Sequence, residues 1–102
     1  MTRPEILDAA KKCVCGDREQ DYGSPEDNFK TIAAFWGAYI KKLLPPNVQI
    51  DLLPEDVAAM MALLKIARIA SGQTKDDNWI DLAGYAACGA ELQNGYGERN
   101  LK

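Results

Sequence analysis

The chain has 102 residues, of which 47% are hydrophobic and 26% are charged, and its net charge at pH 7 is −3. This length supports one globular domain whose core needs no disulfide or metal, and the acidic balance argues against direct nucleic-acid binding, which usually needs a basic face. The chain contains no histidine, which excludes histidine-dependent nucleophilic sites and histidine-ligated zinc and leaves carboxylates, lysine, arginine and tyrosine for any catalysis.

The cysteine count and the apolar runs indicate the compartment. Three cysteines are an odd number, and they lack a C-x-x-C spacing, so we expect reduced thiols rather than a disulfide framework. The longest strictly apolar run is 57–64, which is far too short to span a membrane, and no signal peptide is evident. These features predict a cytoplasmic protein without a membrane partner.

The first two predicted helices begin at recognisable capping sequences. Thr2-Arg-Pro-Glu5 is a capping box, and it predicts a helix over 3–15 that ends at Gly16. Ser24 followed by proline predicts the start of a second helix over 25–44, which must end before a Pro-Pro pair.

The third predicted helix, 54–71, is apolar on nearly every side and is expected to be the central, buried element. Pro54 suits its first position and Gly72 suits a left-handed stop. Between residues 57 and 70 the only charges are Lys65 and Arg68. Because an unpaired buried charge is strongly destabilising, these two cations require acidic partners from elsewhere in the chain.

The fourth predicted helix, 77–94, supplies those acids. The helical period places Asp77, Asp81 and Tyr85 on one face, with Gly84 beside them. A glycine inside a helix costs about 1 kcal/mol relative to alanine, so Gly84 indicates the close approach of another backbone or a ligand.

Together these elements predict an all-α fold, a four-helix bundle-like arrangement in a single domain over 1–102, with a frayed tail at 95–102. The last two helices are rich in alanine, and helix 54–71 has apolar surface on both sides. Such surface is often covered by self-association, so we expect a homodimer or a larger homo-oligomer.

A series of motifs between residues 18 and 91 resembles a family of small phage and prophage proteins of unknown function. The motifs are Arg18, Tyr22-Gly, Asn28-Phe, Trp36, Asp56-Val-Ala-Ala-Met-Met, Lys65-Ile-Ala-Arg and Asp77-Asn-Trp-Ile-Asp-Leu-Ala-Gly-Tyr85. Several of them also resemble the nucleotide modification associated domain of phage genomes and, more remotely, the MazG-type all-α nucleoside triphosphate pyrophosphatases. If the chain is phage-encoded, its location is the cytoplasm of the host cell.

The resemblance to the pyrophosphatases implies a nucleotide ligand and a magnesium site of paired acids, Glu-x-x-Glu on one helix and Glu-x-x-Asp on another. Asn78-x-x-Asp81, or Asp77 with Asp81, corresponds to the second half of this pattern, whereas helix 25–44 has no internal Glu-x-x-Glu. An enzyme of this type is a Mg²⁺-dependent nucleotide hydrolase or has a nucleotide-modification-associated activity.

The charged residues of the last two helices have two interpretations. In the first, they bind a nucleotide or phosphorylated small molecule: Arg68 offers a planar fork for an oxyanion and Lys65 a point charge, with Tyr85 on the same face. Asp77 and Asp81 then hold Mg²⁺. Asp56 is a weaker metal candidate, because an acid at a helix start also compensates the helix dipole.

The polar loop before the second helix adds Arg18 and Tyr22 as ligand-binding candidates, since they could stack on a base or contact a phosphate. In the second interpretation the protein is a non-catalytic, homo-oligomeric helical interaction module. The lysine, arginine and aspartate residues then form a structural ion-pair network between two helices.

Overall fold

The computed structural model describes residues 1–16 and 25–95, and this part of the chain forms four α-helices without a strand. The predicted all-α class is therefore confirmed. The helices are α1 (Arg3–Cys15), α2 (Pro25–Leu43), α3 (Pro54–Ala70) and α4 (Asp76–Gly95). The predicted boundaries of α2 and α3 differ from these by one residue at the carboxyl end, and those of α4 differ by one residue at each end. Ser24, the predicted cap of α2, lies outside the described residues.

Helix α1 begins at the predicted capping box. The backbone N–H of Glu5 donates to Thr2 Oγ1 over 3.4 Å, and the N–H of Thr2 donates to Glu5 Oε1 over 2.8 Å. Hydrogen bonds to the ionised carboxylate from the backbone N–H of Thr2 and from its side chain hold the pKa of Glu5 below its ordinary value of 4.5. The helix ends at Gly16, whose N–H donates to the carbonyl of Lys12.

Both ends of α3 are capped by local contacts. Asp56 Oδ2 accepts a hydrogen bond from the backbone N–H of Leu53 over 2.8 Å, which satisfies one donor at the helix start. After the last turn, Gly72 has φ of +95°, a left-handed conformation that L-residues rarely adopt. Gly72 is therefore the left-handed stop that the sequence predicts.

The helices pack in the spatial order α1, α4, α3, α2. Helix α4 packs against both α1 and α3, and α3 packs against both α4 and α2, whereas α2 and α4 touch little. The position of α3 between two other helices agrees with its predicted central place. No helix in the described part of the chain is both long and apolar enough to cross a membrane.

Among the described residues, α2 and α4 cover only part of the surface of α3, although the sequence predicts burial on nearly every side. Val57, Ala58 and Lys65 are buried, whereas Leu63 is 63% exposed. The neighbouring helices cover the side that faces them and leave the remaining apolar surface in contact with solvent. The large exposed side chains of α3 are Met60, Leu63, Leu64 and Ile66.

Small residues allow the inner helices to approach closely. A Cβ added at Gly89 of α4 would lie 3.2 Å from the Cβ of Ala58 on α3. A Cβ added at Gly84 would lie 3.0 Å from Cγ1 of Val14 on α1. The predicted close approach at Gly84 is therefore present, but a side chain of α1 occupies the space beside Gly84 that the sequence analysis left for a ligand.

Candidate functional site

A lysine on the inner side of α3 meets an aspartate of α4. Lys65 Nζ lies 2.8 Å from Asp81 Oδ2, and their side chains are 10% and 28% exposed. The antiparallel course of the two helices brings these positions to the same level, as the Ala58–Gly89 contact two turns away also shows. Because a cation this deep in the protein needs an anion, the pair holds α3 and α4 in register.

The Lys65 ammonium has more hydrogen-bonding capacity than this contact uses. An ammonium carries three donors, and Asp81 is the acceptor that it contacts within the described residues. Water reaches the pair from the Asp81 side, where the carboxylate is more than a quarter exposed.

An aromatic pair lies one helical turn beyond Asp81. Tyr85 follows Asp81 by four residues on α4 and is half-buried. Its ring centroid is 6.3 Å from that of Phe29 at the start of α2, with an interplanar angle of 34°. This centroid distance is within the range of about 4.5–7 Å that is typical of stabilising aromatic pairs. Phe29 was quoted in the motif series but was not predicted as a site residue, because no sequence spacing relates it to α4.

Arg68 and Asp77 lie on the exposed parts of the same two helices. Arg68 is one turn beyond Lys65, Asp77 is one turn before Asp81, and both are exposed to solvent. Within the described residues, the salt bridge of α3 to α4 is that of Lys65 with Asp81. The predicted four-residue cluster is therefore one buried pair with an exposed arginine and an exposed aspartate nearby.

The described residues contain no group of three or more histidine, cysteine, aspartate or glutamate side chains that could hold a metal ion. Asp77 and Asp81 alone offer two carboxylates one turn apart. The third metal candidate, Asp56, lies nine residues before Lys65, which is about 14 Å along the helix axis. Its carboxylate accepts from Leu53 N–H at the start of α3, so the structure does not bring Asp56 together with Asp81.

Two of the predicted ligand-binding residues, Arg18 and Tyr22, lie outside the described residues. The sequence did not predict one further feature, a buried carboxylate oxygen at the start of α3. Glu55 Oε1 is buried and has no hydrogen-bond partner within the described part of the chain, although an acid in the first turn of a helix is usually exposed and compensates the helix dipole. A spacing pattern carries no signal for such an atom, because its burial depends on which helices cover the start of α3.

A surface cavity of about 400 Å³ lies along α1. The described residues that line it are Asp8, Lys11, Lys12, Cys15 and Gly16. None of these residues belongs to the predicted site, and all of them come from one helix and its cap. The cavity is therefore separate from the Lys65–Asp81 pair and contributes nothing to it.

Comparison with known proteins shows where the chain belongs. Residues 5–93 match the model of a domain of unknown function, DUF6378. The chain is 40% identical over 97 residues to the Gene 55 protein of Mycobacterium phage L5, covering 95% of this chain and 58% of that protein. It is 37% identical over 83 residues to the Gene 55 protein of Mycobacterium phage D29, covering 81% of this chain and 50% of that protein. No solved structure matches.

The chain thus spans about half the length of these phage relatives. The predicted resemblance to a family of small phage proteins of unknown function is confirmed, whereas these matches lend no support to the resemblance to the nucleotide modification associated domain or to the MazG-type enzymes. Since the family model covers residues 5–93, the chain belongs to the DUF6378 family.

Proposed function

We propose that the protein binds a nucleotide or another phosphorylated small molecule beside the Lys65–Asp81 pair. The observation that carries the proposal is the nearly buried ammonium of Lys65, which has three donors and one carboxylate contact among the described residues. A phosphate oxygen is a suitable second acceptor, because hydrogen bonds between two charged groups are the strongest available.

Arg68 adds a second cation on the same helix. Residues three apart on a helix have Cβ atoms about 5–6 Å apart, so Lys65 and Arg68 are neighbours on α3. Arg68 is exposed, and its guanidinium can therefore reach an oxyanion in solution as a bidentate fork. Lys65 is already paired with Asp81, so Arg68 is the cation of α3 that an oxyanion in solution meets first.

The acids of α4 complete the proposed site. Mg²⁺ usually keeps several water molecules and binds through one or two carboxylates together with substrate phosphates. Asp77 and the more exposed side of Asp81 would supply those carboxylates, and the Tyr85–Phe29 pair would supply an apolar wall. In the same proposal, Arg18 and Tyr22 would cover the ligand.

Thermal-shift measurements with and without Mg²⁺ test this proposal. The ligands are nucleoside mono-, di- and triphosphates, inorganic pyrophosphate and, as an uncharged comparison, the free nucleosides. A ligand at 100 times its dissociation constant stabilises the folded state by about 2.7 kcal/mol. We expect a shift with phosphorylated compounds and none with nucleosides.

Arg68→Gln should reduce the shift, because it removes an exposed cation that the fold does not need. Arg3→Gln is the matched control, since Arg3 is also exposed but lies at the start of α1. The absence of a shift with every phosphorylated compound at millimolar concentration would overturn the proposal, as would equal losses in the two variants.

The second candidate function is a non-catalytic helical interaction module, and the 2.8 Å contact between Lys65 and Asp81 favours it. A pair this short and this deep is what a structural link between two helices requires. Under this alternative, no phosphorylated compound shifts the melting temperature, and Asp81→Asn lowers the stability of the protein without altering any ligand response.

A further inference from the structure

Helix α2 has a large apolar surface that no other described helix covers. It packs mainly on α3 and stands at the end of the helix order. Phe35, Tyr39 and Leu43 are 71%, 68% and 67% exposed. Their spacing of four residues places them in one stripe along the helix, each about 40° from the last.

Helix α3, the neighbour of α2, adds further exposed apolar side chains. Leu63 is 63% exposed, Leu64 is 41% exposed and Met60 is 37% exposed. A covered aromatic side chain buries about 150–250 Å², so Phe35 and Tyr39, which are 71% and 68% exposed, offer roughly 200–350 Å². The four aliphatic side chains on the two helices add to this area. A standard interface buries about 800 Å² on each partner, whereas the largest apolar patch of a typical monomer is about 300–600 Å². Because only about 56–65% of an interface is apolar, a standard interface needs roughly 450–520 Å² of apolar surface on each partner. The exposed apolar side chains of α2 and α3 together are of this order.

We infer that a second copy of this chain packs on the α2 stripe, with Tyr39 of each copy at a two-fold axis. A two-fold interface must be self-complementary, so residue i of one copy meets residue j of the other and the reverse. A stripe of three large residues at equal spacing satisfies this requirement when two α2 helices run antiparallel. Tyr39 then meets Tyr39 of the second copy, and Phe35 meets Leu43.

This inference does not depend on the proposed ligand site. The Lys65–Asp81 pair lies on the side of α3 that faces α4, whereas the α2 stripe lies at the opposite end of the helix order from α1. In the dimer, the two α2 helices would contact each other at the centre, with the other helices of each copy on the outside. Ridges formed by residues four apart favour a crossing angle of about −50° between two such helices.

Sedimentation velocity from low to high micromolar concentration is the first test. We expect the wild-type chain to sediment with twice the mass of one chain. Tyr39→Glu places two carboxylates opposite each other at the axis and should weaken the dimer by about 100-fold or more, because like charges brought together at an interface cost several kcal/mol. Tyr39 is largely exposed within one chain, so circular dichroism should show a folded monomer.

Leu7→Glu is the matched control, because Leu7 is 63% exposed but belongs to α1, at the other end of the helix order. It should leave the dimer intact. A wild-type monomer at high micromolar concentration overturns the inference, and so does a dimer that resists Tyr39→Glu. Binding of a monomeric wild-type chain to phosphatidylcholine–phosphatidylglycerol vesicles would assign the stripe to a lipid surface and would also overturn it.

Oxidative cross-linking tests the position of the axis. Cys15 is exposed and Cys13 is half-buried, while Cys88 is buried, so the experiment uses a background with both Cys13→Ser and Cys15→Ser. Tyr39→Cys should form a disulfide-linked dimer rapidly, and Leu7→Cys in the same background should not. Cross-linking that is equally fast in the two variants would exclude a two-fold axis at Tyr39.

Discussion

The two sides of α3 reverse the usual distribution of polar and apolar residues. The side that faces α4 contains Lys65, which is 8% exposed, while the outer side contains Leu63, which is 63% exposed. The inner lysine is stabilised by one short contact with Asp81, whereas the outer leucine remains largely exposed among the described residues. Packing among the described helices therefore explains why a lysine is buried on the inner side of α3. It does not explain why large apolar side chains are exposed on the outer side.

The largest effect is expected at the inner charge. Asp81→Asn leaves the Lys65 ammonium buried without its anion, and breaking a buried pair typically costs about 3–5 kcal/mol. Water reaches the carboxylate side of this pair, so we expect a loss near the lower bound, about 3 kcal/mol, in urea denaturation at unchanged slope.

Asp77→Asn is the control for this prediction, because Asp77 is exposed on the same helix. It should change the free energy of unfolding by no more than about 0.5 kcal/mol. The double variant Lys65→Met with Asp81→Leu should recover most of the lost stability, since buried ion pairs can often be replaced by apolar residues of similar volume. Equal denaturation midpoints for Asp81→Asn and Asp77→Asn would show that the inner pair is not structural.

The second prediction compares apolar truncations on the two sides of α3. Val57 is 0% exposed, and Val57→Ala should cost about 2 kcal/mol through lost burial and a small cavity. Leu63→Ala removes more carbon atoms but should cost less than about 0.5 kcal/mol in the monomer, because Leu63 is already largely hydrated. Chemical denaturation at low protein concentration measures both values, and the opposite order of effects would contradict the comparison.

The third prediction concerns the closeness of the α3–α4 contact. In Gly89→Ala, the new methyl group would lie 3.2 Å from Ala58 Cβ, which cannot move without its backbone. Overpacking destabilises by about 1–3 kcal/mol, whereas replacing glycine by alanine inside a helix stabilises by about 1 kcal/mol. We therefore expect a net loss of about 1 kcal/mol in thermal unfolding.

Gly37→Ala on α2 is the matched comparison for the third prediction. There the added Cβ would meet Leu52 Cβ at 3.4 Å, an ordinary contact distance. This variant should be more stable than wild type by up to about 1 kcal/mol. A stabilising Gly89→Ala would mean that α3 and α4 separate easily, and the inner side would then be less tightly packed than we infer.

The smallest effect is expected from an exposed charge, which contrasts with the buried pair. The pKa of Glu5 is lowered below 4.5 by its hydrogen bonds at Thr2. The folded state therefore binds a proton less readily than the unfolded state, and the stabilisation is complete above pH 4.5 and disappears as the pH falls through the lowered pKa. The difference in denaturation midpoint between wild type and Glu5→Gln should follow this course, and a difference independent of pH would contradict it.

Local signals in the sequence were sufficient for the helices. The capping box at Thr2 and Glu5 forms as predicted, and Gly72 adopts the left-handed conformation that ends α3. Such features depend on residues within one turn of each other, so tertiary packing has little influence on them.

The candidate site was predictable in part. Because Lys65 is a cation in an apolar helix, the sequence required an acidic partner, and α4 provides Asp81. The helical period placed Asp77 on the same face as Asp81, but it could not show that Asp77 and Arg68 would be exposed. The exposure of a side chain depends on how far each neighbouring helix extends beside it. The spacing of residues within one helix does not predict this.

By itself, the sequence determined the number, type and ends of the helices and the need for an anion beside Lys65, because these follow from local hydrogen bonding and from the cost of burying a charge. The tertiary structure alone decided three further points. Val14 fills the space at Gly84, Phe29 packs against Tyr85, and α2 is left with an uncovered apolar stripe. Each of these results from the order in which four helices pack, and that order is a property of contacts between residues far apart in the chain.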